Sequence, residues 1–282
     1  MGQAKKHKHS DDYYNDIALR LFQRLYGVEH LHYGYFKKGL KPQIENIAKA
    51  QEEYVKVLLS HVPASAKVVF DVGCGTGGVA SKLIKKKKQI TCLAPDPFLI
   101  EKVVENTDGK VATITDLYEN VDHLPPESFD LVLMSESCQY IKIEEGWQQN
   151  DRYLKPGGHV LIADFFRIKE ADEHYTSKSG HNLEKFKERA LAGGFTLKKE
   201  VDITPYVAPT MDIYQDVLDN RVFPILEAVN EVISRKFPRI HKMLSKFFAK
   251  KVGVLRDRYS KGGSKLFSEY KRYVILLFQK SA

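Results

Sequence analysis

Residues 68 to 78 read Val-Val-Phe-Asp-Val-Gly-Cys-Gly-Thr-Gly-Gly, an apolar run that ends in a cluster of glycines. The run VVFDV suits a central strand of a parallel sheet, where both faces are buried and near-continuous hydrophobicity is expected. Gly73, Gly75 and Gly77 permit backbone torsions, and a closeness of approach to a ligand, that a Cβ would block. A chain built around this stretch passes from strand through a tight turn into a helix. Asp71 interrupts the apolar run at its carboxyl end, and a carboxylate there is costly to bury unless a cation or hydrogen-bond donors meet it. A ligand ammonium would satisfy it.

The same alternation continues along the chain. Apolar periodicity predicts strands at 68–72, 89–94, 110–115, 129–135 and 158–165, with helices at 77–86, 97–106, 143–153 and 181–192 between them. Strand–helix alternation implies right-handed crossovers and a mostly parallel sheet, with ligands at the carboxyl ends of the strands. After Gly193-Gly194 the pattern changes to a strand at 195–201, a long helical region from Met211 to about Tyr259, and a last strand at 273–279. That last strand, YVILLFQ, is almost wholly apolar and is expected to insert between other strands. Before the first strand, helical patterns at Ile17–Leu25 and Ile44–Leu58 flank an aromatic loop, LHYGYF, from Leu31 to Phe36. The reading is a disordered tail over 1–12, a core over 13–204 and 266–282 with an N-terminal helical cap, and a basic helical lid over 205–265.

With 282 residues, 43% of them apolar, the chain can bury a full core. No apolar run reaches the ~18 residues of a membrane span and the N-terminus has no apolar signal centre, so a cytoplasmic protein is expected. Cys74, Cys92 and Cys138 each fall in a predicted strand or turn and read as small core residues in a reducing compartment. The ten histidines show no metal-ligand spacing, though His32 beside Tyr33 is within chain reach of the sheet edge.

Asp71 with its glycines, the strand end at Ala94-Pro95-Asp96, Thr115-Asp116-Leu117, the run SFDLVLMSESCQYI from Ser128 to Ile141, and Leu154-Lys-Pro-Gly-Gly158 form an ordered set. In this order and at these separations the set resembles the motifs of class I S-adenosylmethionine-dependent methyltransferases. The N-terminal YYNDIALRLFQRLYG and HLHYGYF resemble the small-molecule and lipid branch of that family. The resemblance implies an α/β, Rossmann-like, mostly parallel seven-stranded sheet with helices on both faces and an antiparallel final strand. It also implies S-adenosyl-L-methionine as cofactor and methyl transfer to a small-molecule or lipid-like acceptor at oxygen, nitrogen or carbon. Two readings stand beside it: a relative that binds the cofactor without transferring methyl, and an RNA methyltransferase, disfavoured because no base-modifier motif is present.

The resemblance assigns Asp71, Gly73, Gly75 and Gly77 to the amine and carboxylate of the cofactor, Asp116 and the Leu117 backbone to the adenine, and Ser135 to the methionine end, with Tyr33 a further cofactor-binding candidate. Family members carry a ribose-binding acid at the end of the second strand, where this chain has Ala94; the nearest carboxylate, Asp96, is the candidate replacement. Relatives with an ESxHH motif use its histidines near the nucleophile, whereas Glu136-Ser137-Cys138-Gln139-Tyr140 has neither. Gln139, Tyr140 and Asp164 are the candidate catalytic residues, with Tyr140 a hydrogen-bond partner unless its pKa of about 10 is lowered. A Rossmann dehydrogenase is the structural rival, but it offers no reason for the acid Asp71 inside the first strand.

The net charge of +8 is unevenly placed. Arg235 to Arg272 holds thirteen Lys or Arg against two acids, a net +11 that leaves −3 for the rest of the chain. Within it Phe237, Ile240, Leu244, Phe247, Phe248 and Leu255 recur at helical spacing. A lid over the acceptor pocket is one reading; peripheral contact with an anionic membrane, or reception of an anionic acceptor, is the other. Nucleic acid is disfavoured, since no RNA-binding module accompanies the charge.

Overall fold

The computed structural model describes residues 24, 26–28, 30–170, 178–239, 241–242, 252–253 and 262–281. Seven strands form one sheet: β1 (Val68–Val72), β2 (Gln89–Ala94), β3 (Ala112–Thr115), β4 (Phe129–Ser135), β5 (Leu154–Arg167), β6 (Phe195–Asp202) and β7 (Lys271–Lys280), in the order 3-2-1-4-5-7-6. Strands β1 to β5 pair in parallel, and β7 runs antiparallel to both β5 and β6. The last strand is thus internal, as its unbroken apolar composition requires, and Tyr273, Val274, Ile275 and Leu276 are all buried. Strand order reverses between β1 and β4, so the loops leaving these two strands part and open a crevice at their carboxyl ends.

Helices α1 (Ile47–Leu59), α2 (Gly78–Lys85), α3 (Pro97–Thr107), α4 (Ile143–Tyr153) and α5 (Leu183–Ala192) cover the sheet. Successive strand residues face opposite sides. Val69, Leu131, Leu161 and Ile275 therefore enter one core with α1, α2 and α3, while Phe70, Val132, Ile162 and Leu276 enter the other with α4 and α5. Between β6 and β7 lie α6 (Thr204–Val207), α7 (Pro209–Val217), α8 (Phe223–Lys236) and α9 (Gly263–Tyr270), with a π-helical turn at Leu218–Val222 joining α7 to α8.

Some boundaries differ from the sequence expectation. Strand β5 begins at Leu154, ahead of the expected 158, because Leu154 still pairs with Phe129 across a register shift. Strand β3 starts at Ala112, after left-handed Asp108 and Gly109 turn the chain out of α3. The long helix expected from Met211 starts two residues earlier, at Pro209, and passes through the π turn, and α8 stops at Phe237-Pro238, where proline disfavours a helical residue before it. Ile240, Leu244, Phe247, Phe248, Leu255, Lys246, Lys250 and Lys251 lie outside the described residues, as do the tail at 1–12 and most of the first helical pattern.

Candidate functional site

The glycine loop has the geometry its sequence demands. Gly73, Gly75 and Gly77 all have positive φ, at 76°, 55° and 83°. The loop is pinned to the end of β2 by Gly73 N–H and Cys74 N–H, which both donate to Leu93 O at 2.8 and 3.2 Å. A Cβ on Gly73 would lie 2.3 Å from Ser137 Cβ, and Ser137 Oγ donates to Val72 O at 2.5 Å, so the turns leaving β1 and β4 interlock. Across the start of α2, a Cβ on Gly78 would lie 2.4 Å from the His30 ring. Only glycine lets the 30–36 segment close over this helix end.

Asp71 is 2% exposed, and its Oδ2 has no hydrogen-bond partner. Burial alone pushes its carboxyl up to about 7. A buried acceptor left open beside a glycine cradle and a helix N-terminus suits a ligand that brings an ammonium and a carboxylate together. Those are the groups of an amino-acid end, so Asp71 and the loop fit the methionine portion of S-adenosylmethionine.

Ala94 ends β2 and is buried. Asp96, two residues on, is the N-cap of α3, its Oδ1 accepting from Phe98 N–H at 2.9 Å. This cap occupies one oxygen of the acid that the sequence offers as the candidate for the ribose. Asp116 follows β3 at the same edge; its Oδ1 accepts from Leu117 N–H at 2.7 Å and from Asn120 Nδ2 at 3.2 Å, which holds the Asp116-Leu117 turn.

A second group of side chains gathers where β4, β5 and β7 end. Glu136, immediately after β4, has φ +56° and is half-buried, and desolvation pushes its carboxyl up to about 8. Its Oε1 accepts from Tyr33 N–H at 2.8 Å and from Tyr273 Oη at 2.7 Å. Tyr273 Oη is 2.9 Å from Tyr54 Oη, which is 3.0 Å from Ser135 Oγ. The Tyr33 ring lies 5.9 to 6.3 Å from those of Phe165, Tyr214, Phe267 and Tyr273. This is a polar chain with an aromatic wall.

The expected catalytic residues separate. Asp164 is wholly buried and accepts from Phe165 N–H at 2.8 Å, Cys138 Sγ at 3.2 Å, and the backbone and side-chain nitrogens of Gln139, both at 3.3 Å. Burial raises it to about 6, against the hydrogen bonds from Cys138, Phe165 and Gln139 and, less strongly, the charge of Lys271, whose Nζ sits 4.0 Å from the Phe165 ring centroid. Four donors from the protein engage this carboxyl, so Asp164 and Gln139 clamp the 138–140 turn. Tyr140 is 64% exposed and stands outside the clamp. His32 is buried against Tyr54, ring centroids 4.2 Å apart, with Nδ1 2.8 Å from Tyr33 O. Burial, and His30 stacked at 4.7 Å, hold it down at about 3, so the imidazole is neutral.

Glu136, Tyr54 and Tyr273 are the members of this site that sequence reasoning missed. Glu136 carried a usable signal, an acid directly after an apolar strand, the same pattern that exposed Asp71. Tyr54 and Tyr273 carried none, because each sits in a periodic apolar segment and meets the site only through the fold.

Residues 70–160 match the family model described as a methyltransferase domain. An uncharacterized methyltransferase of Bacillus subtilis (strain 168), YodH, is 29% identical over 107 residues, covering 37% of this chain and 46% of that protein. The chain spans about half the length of the first curated relatives it matches. Among solved structures, the [4+2]-cyclase SpnF superposes with TM-score 0.69 at 18% identity, covering 95% of this chain and 94% of that one. A geranyl diphosphate C-methyltransferase from Streptomyces coelicolor A3(2), in complex with Mg2+, geranyl diphosphate and S-adenosyl-L-homocysteine, superposes with TM-score 0.63 at 13% identity, covering 92% of each chain.

Proposed function

We propose that this chain, a class I S-adenosylmethionine-dependent methyltransferase by its domain match and fold, transfers a methyl group to a small-molecule acceptor with an apolar body. The observation that carries the reading is Asp71, a buried carboxyl with an open oxygen beside the glycine cradle. When bound, the cofactor supplies a methyl carbon on a sulfonium, and the protein's task is chiefly to align a nucleophile with it.

In this reading Asp71 accepts the ammonium, and the loop receives the carboxylate around Gly75, since the Gly73, Cys74 and Gly77 N–H groups hold the loop itself. Asp116 and the Leu117 backbone face the adenine, and Ser135 lines the methionine side. Glu136 is the acceptor-side group. Its pKa raised by desolvation against the hydrogen bonds from Tyr33 and Tyr273, it donates a hydrogen bond while protonated and takes a proton once ionised. The rings around Tyr33 wall an apolar or amphipathic acceptor and exclude water. The solved fold relative that carries geranyl diphosphate supports an acceptor of that amphipathic kind. Oxygen, nitrogen and carbon nucleophiles all attack the methyl carbon in line, so the proposal covers each.

Release of S-adenosylhomocysteine on a panel of amphipathic metabolites tests transfer, with Asp71→Asn as the control expected to lose it. A second reading, cofactor binding without transfer, draws on Ala94 at the β2 end and on Gln139-Tyr140 where relatives carry a histidine pair. Tight cofactor binding with no product across the panel would select it.

A further inference from the structure

Among the described residues, five buried side-chain nitrogen or oxygen atoms have no hydrogen-bond partner: His32 Nε2, Gln51 Oε1, His61 Nε2, Asp71 Oδ2 and Trp147 Nε1. Three of them belong to one place. Val69 and Leu133 enter the core that α1 and α2 cover, so Asp71, two residues on from Val69 and paired with Leu133, faces the same side. Tyr54 of α1 stands on that side, its Oη 3.0 Å from Ser135 Oγ at the end of β4, and the His32 ring lies against the Tyr54 ring. Gln51, one turn before Tyr54, donates through Nε2 to His30 O and His32 O at 3.1 and 2.6 Å. The segment so held runs over the glycine loop: His30 packs on Gly78, and a Cβ on Gly75 would lie 3.9 Å from Leu31 Cδ1. His61 follows the far end of α1, and Trp147 enters the opposite core, so neither joins this group.

The chemistry of the three atoms is uniform. Gln51 commits its amide nitrogen to two carbonyls, which leaves Oε1 as the open atom. His32 Nδ1 sits 2.8 Å from Tyr33 O, an oxygen that can only accept, so the hydrogen is on Nδ1 and Nε2 carries a bare lone pair in the neutral ring. With Asp71 Oδ2 the place holds a carboxyl oxygen, an amide oxygen and an imidazole nitrogen, and acceptors buried without a donor are costly. We infer that His32 and Gln51 join Asp71 in binding the ammonium of the cofactor's amino-acid end. A primary ammonium brings three N–H donors, one for each open acceptor, whereas a trapped water brings two. A carboxylate here would meet three lone pairs and no N–H, so the same atoms turn it toward Gly75 and fix which way round the amino acid lies. The inference rests on the cofactor reading above and adds to it two ligands from the segment and the helix that precede the sheet.

The test is calorimetry of the full chain with three ligands: S-adenosylmethionine, its decarboxylated form, which keeps the ammonium, and methylthioadenosine, which has no amino-acid end. His32→Phe, which keeps a ring against Tyr54, should weaken the first two by the same factor, about tenfold or more, and leave methylthioadenosine unchanged. Gln51→Met should show the same selective loss, measured relative to methylthioadenosine because the amide also holds the 30–32 segment. In the unsubstituted protein the nitrogen NMR signal of His32 Nε2 should move toward its hydrogen-bonded position with S-adenosylmethionine and stay put with methylthioadenosine, a readout that needs no variant to fold. Losses equal across the three ligands, a loss seen with S-adenosylmethionine but not with its decarboxylated form, or an unmoved Nε2 signal would each overturn the inference while the cofactor reading stands. Unsubstituted protein that binds none of the three would overturn that reading, and this inference with it.

Discussion

Asp71 is the residue on which cofactor binding turns. With its carboxyl at about 7 it is partly protonated near neutrality, and an arriving ammonium favours the anion, so binding below that pH must release a proton. Calorimetry in buffers of differing ionisation heat should detect the release near pH 6 and its disappearance by about pH 9. Asp71→Asn should abolish it and weaken binding by about 1.5–3 kcal/mol, the range for a hydrogen bond to a charged group. Proton-neutral binding that the variant does not weaken would place the ammonium elsewhere. Asp96 is the contrasting acid. Because its Oδ1 caps α3, Asp96→Ala should cost about 1 kcal/mol of stability, and Asp96→Asn should restore it, since asparagine caps equally well. Cofactor affinity should follow neither change; a loss in both variants would give Asp96 back to the ribose.

At the scale of elements, the 31–36 segment ties the two ends of the site together. Gly34 N–H donates to Thr210 Oγ1 at 3.1 Å, Tyr33 N–H reaches Glu136, and a Cβ on Gly34 would lie 2.7 Å from Ala50 Cβ on α1. Gly34→Ala should lift the segment from α1, lowering stability by about 1–3 kcal/mol in a urea titration and reducing turnover more than cofactor affinity. Equal effects on turnover and affinity would make the segment part of the cofactor site instead. The sequence showed this segment as an aromatic loop but not what it joins. Local chemistry marks an element when neighbours in the chain share the task, as the glycines of the β1 turn do, or when burial on both faces leaves an unbroken apolar run, as in β7. Glu136, Tyr33, Tyr54 and Tyr273 come from four separate elements, and only the sheet order, with β7 inserted beside β5, brings them into one hydrogen-bonded chain. Asp96 shows the converse: its spacing from Ala94 is visible in the sequence, but the N-cap bond that its Oδ1 accepts from Phe98 N–H is not.

For the whole molecule, these buried groups set how stability varies with pH. Asp164 at about 6, Asp71 at about 7 and Glu136 at about 8 are all raised by burial, so the fold favours their protonated forms. Each contributes stability that is full below the ordinary carboxylate range near 4 and is lost as pH rises through its folded value. The histidines shifted downward, His32 above all, act in the opposite sense: the unfolded chain takes up protons below about pH 6.5 while the folded chain resists, so stability falls as pH drops there. Below about pH 6.5 the two sets oppose each other; above it the carboxyls act, joined toward pH 8.5 by the Cys92 and Cys138 thiols, which burial raises in the same sense. The melting temperature of the cofactor-free protein should therefore decline from about pH 6.5 to about pH 8.5. Glu136→Gln should flatten the upper part of that decline and Asp71→Asn the lower part, whereas saturating cofactor should mimic Asp71→Asn by holding that carboxyl as the anion. A melting temperature that is level or rising across this window, and unmoved by either variant, would mean that the buried carboxyls meet cations or donors in solution that relieve them, and the assignment of Asp71 to the ligand ammonium would fail with it.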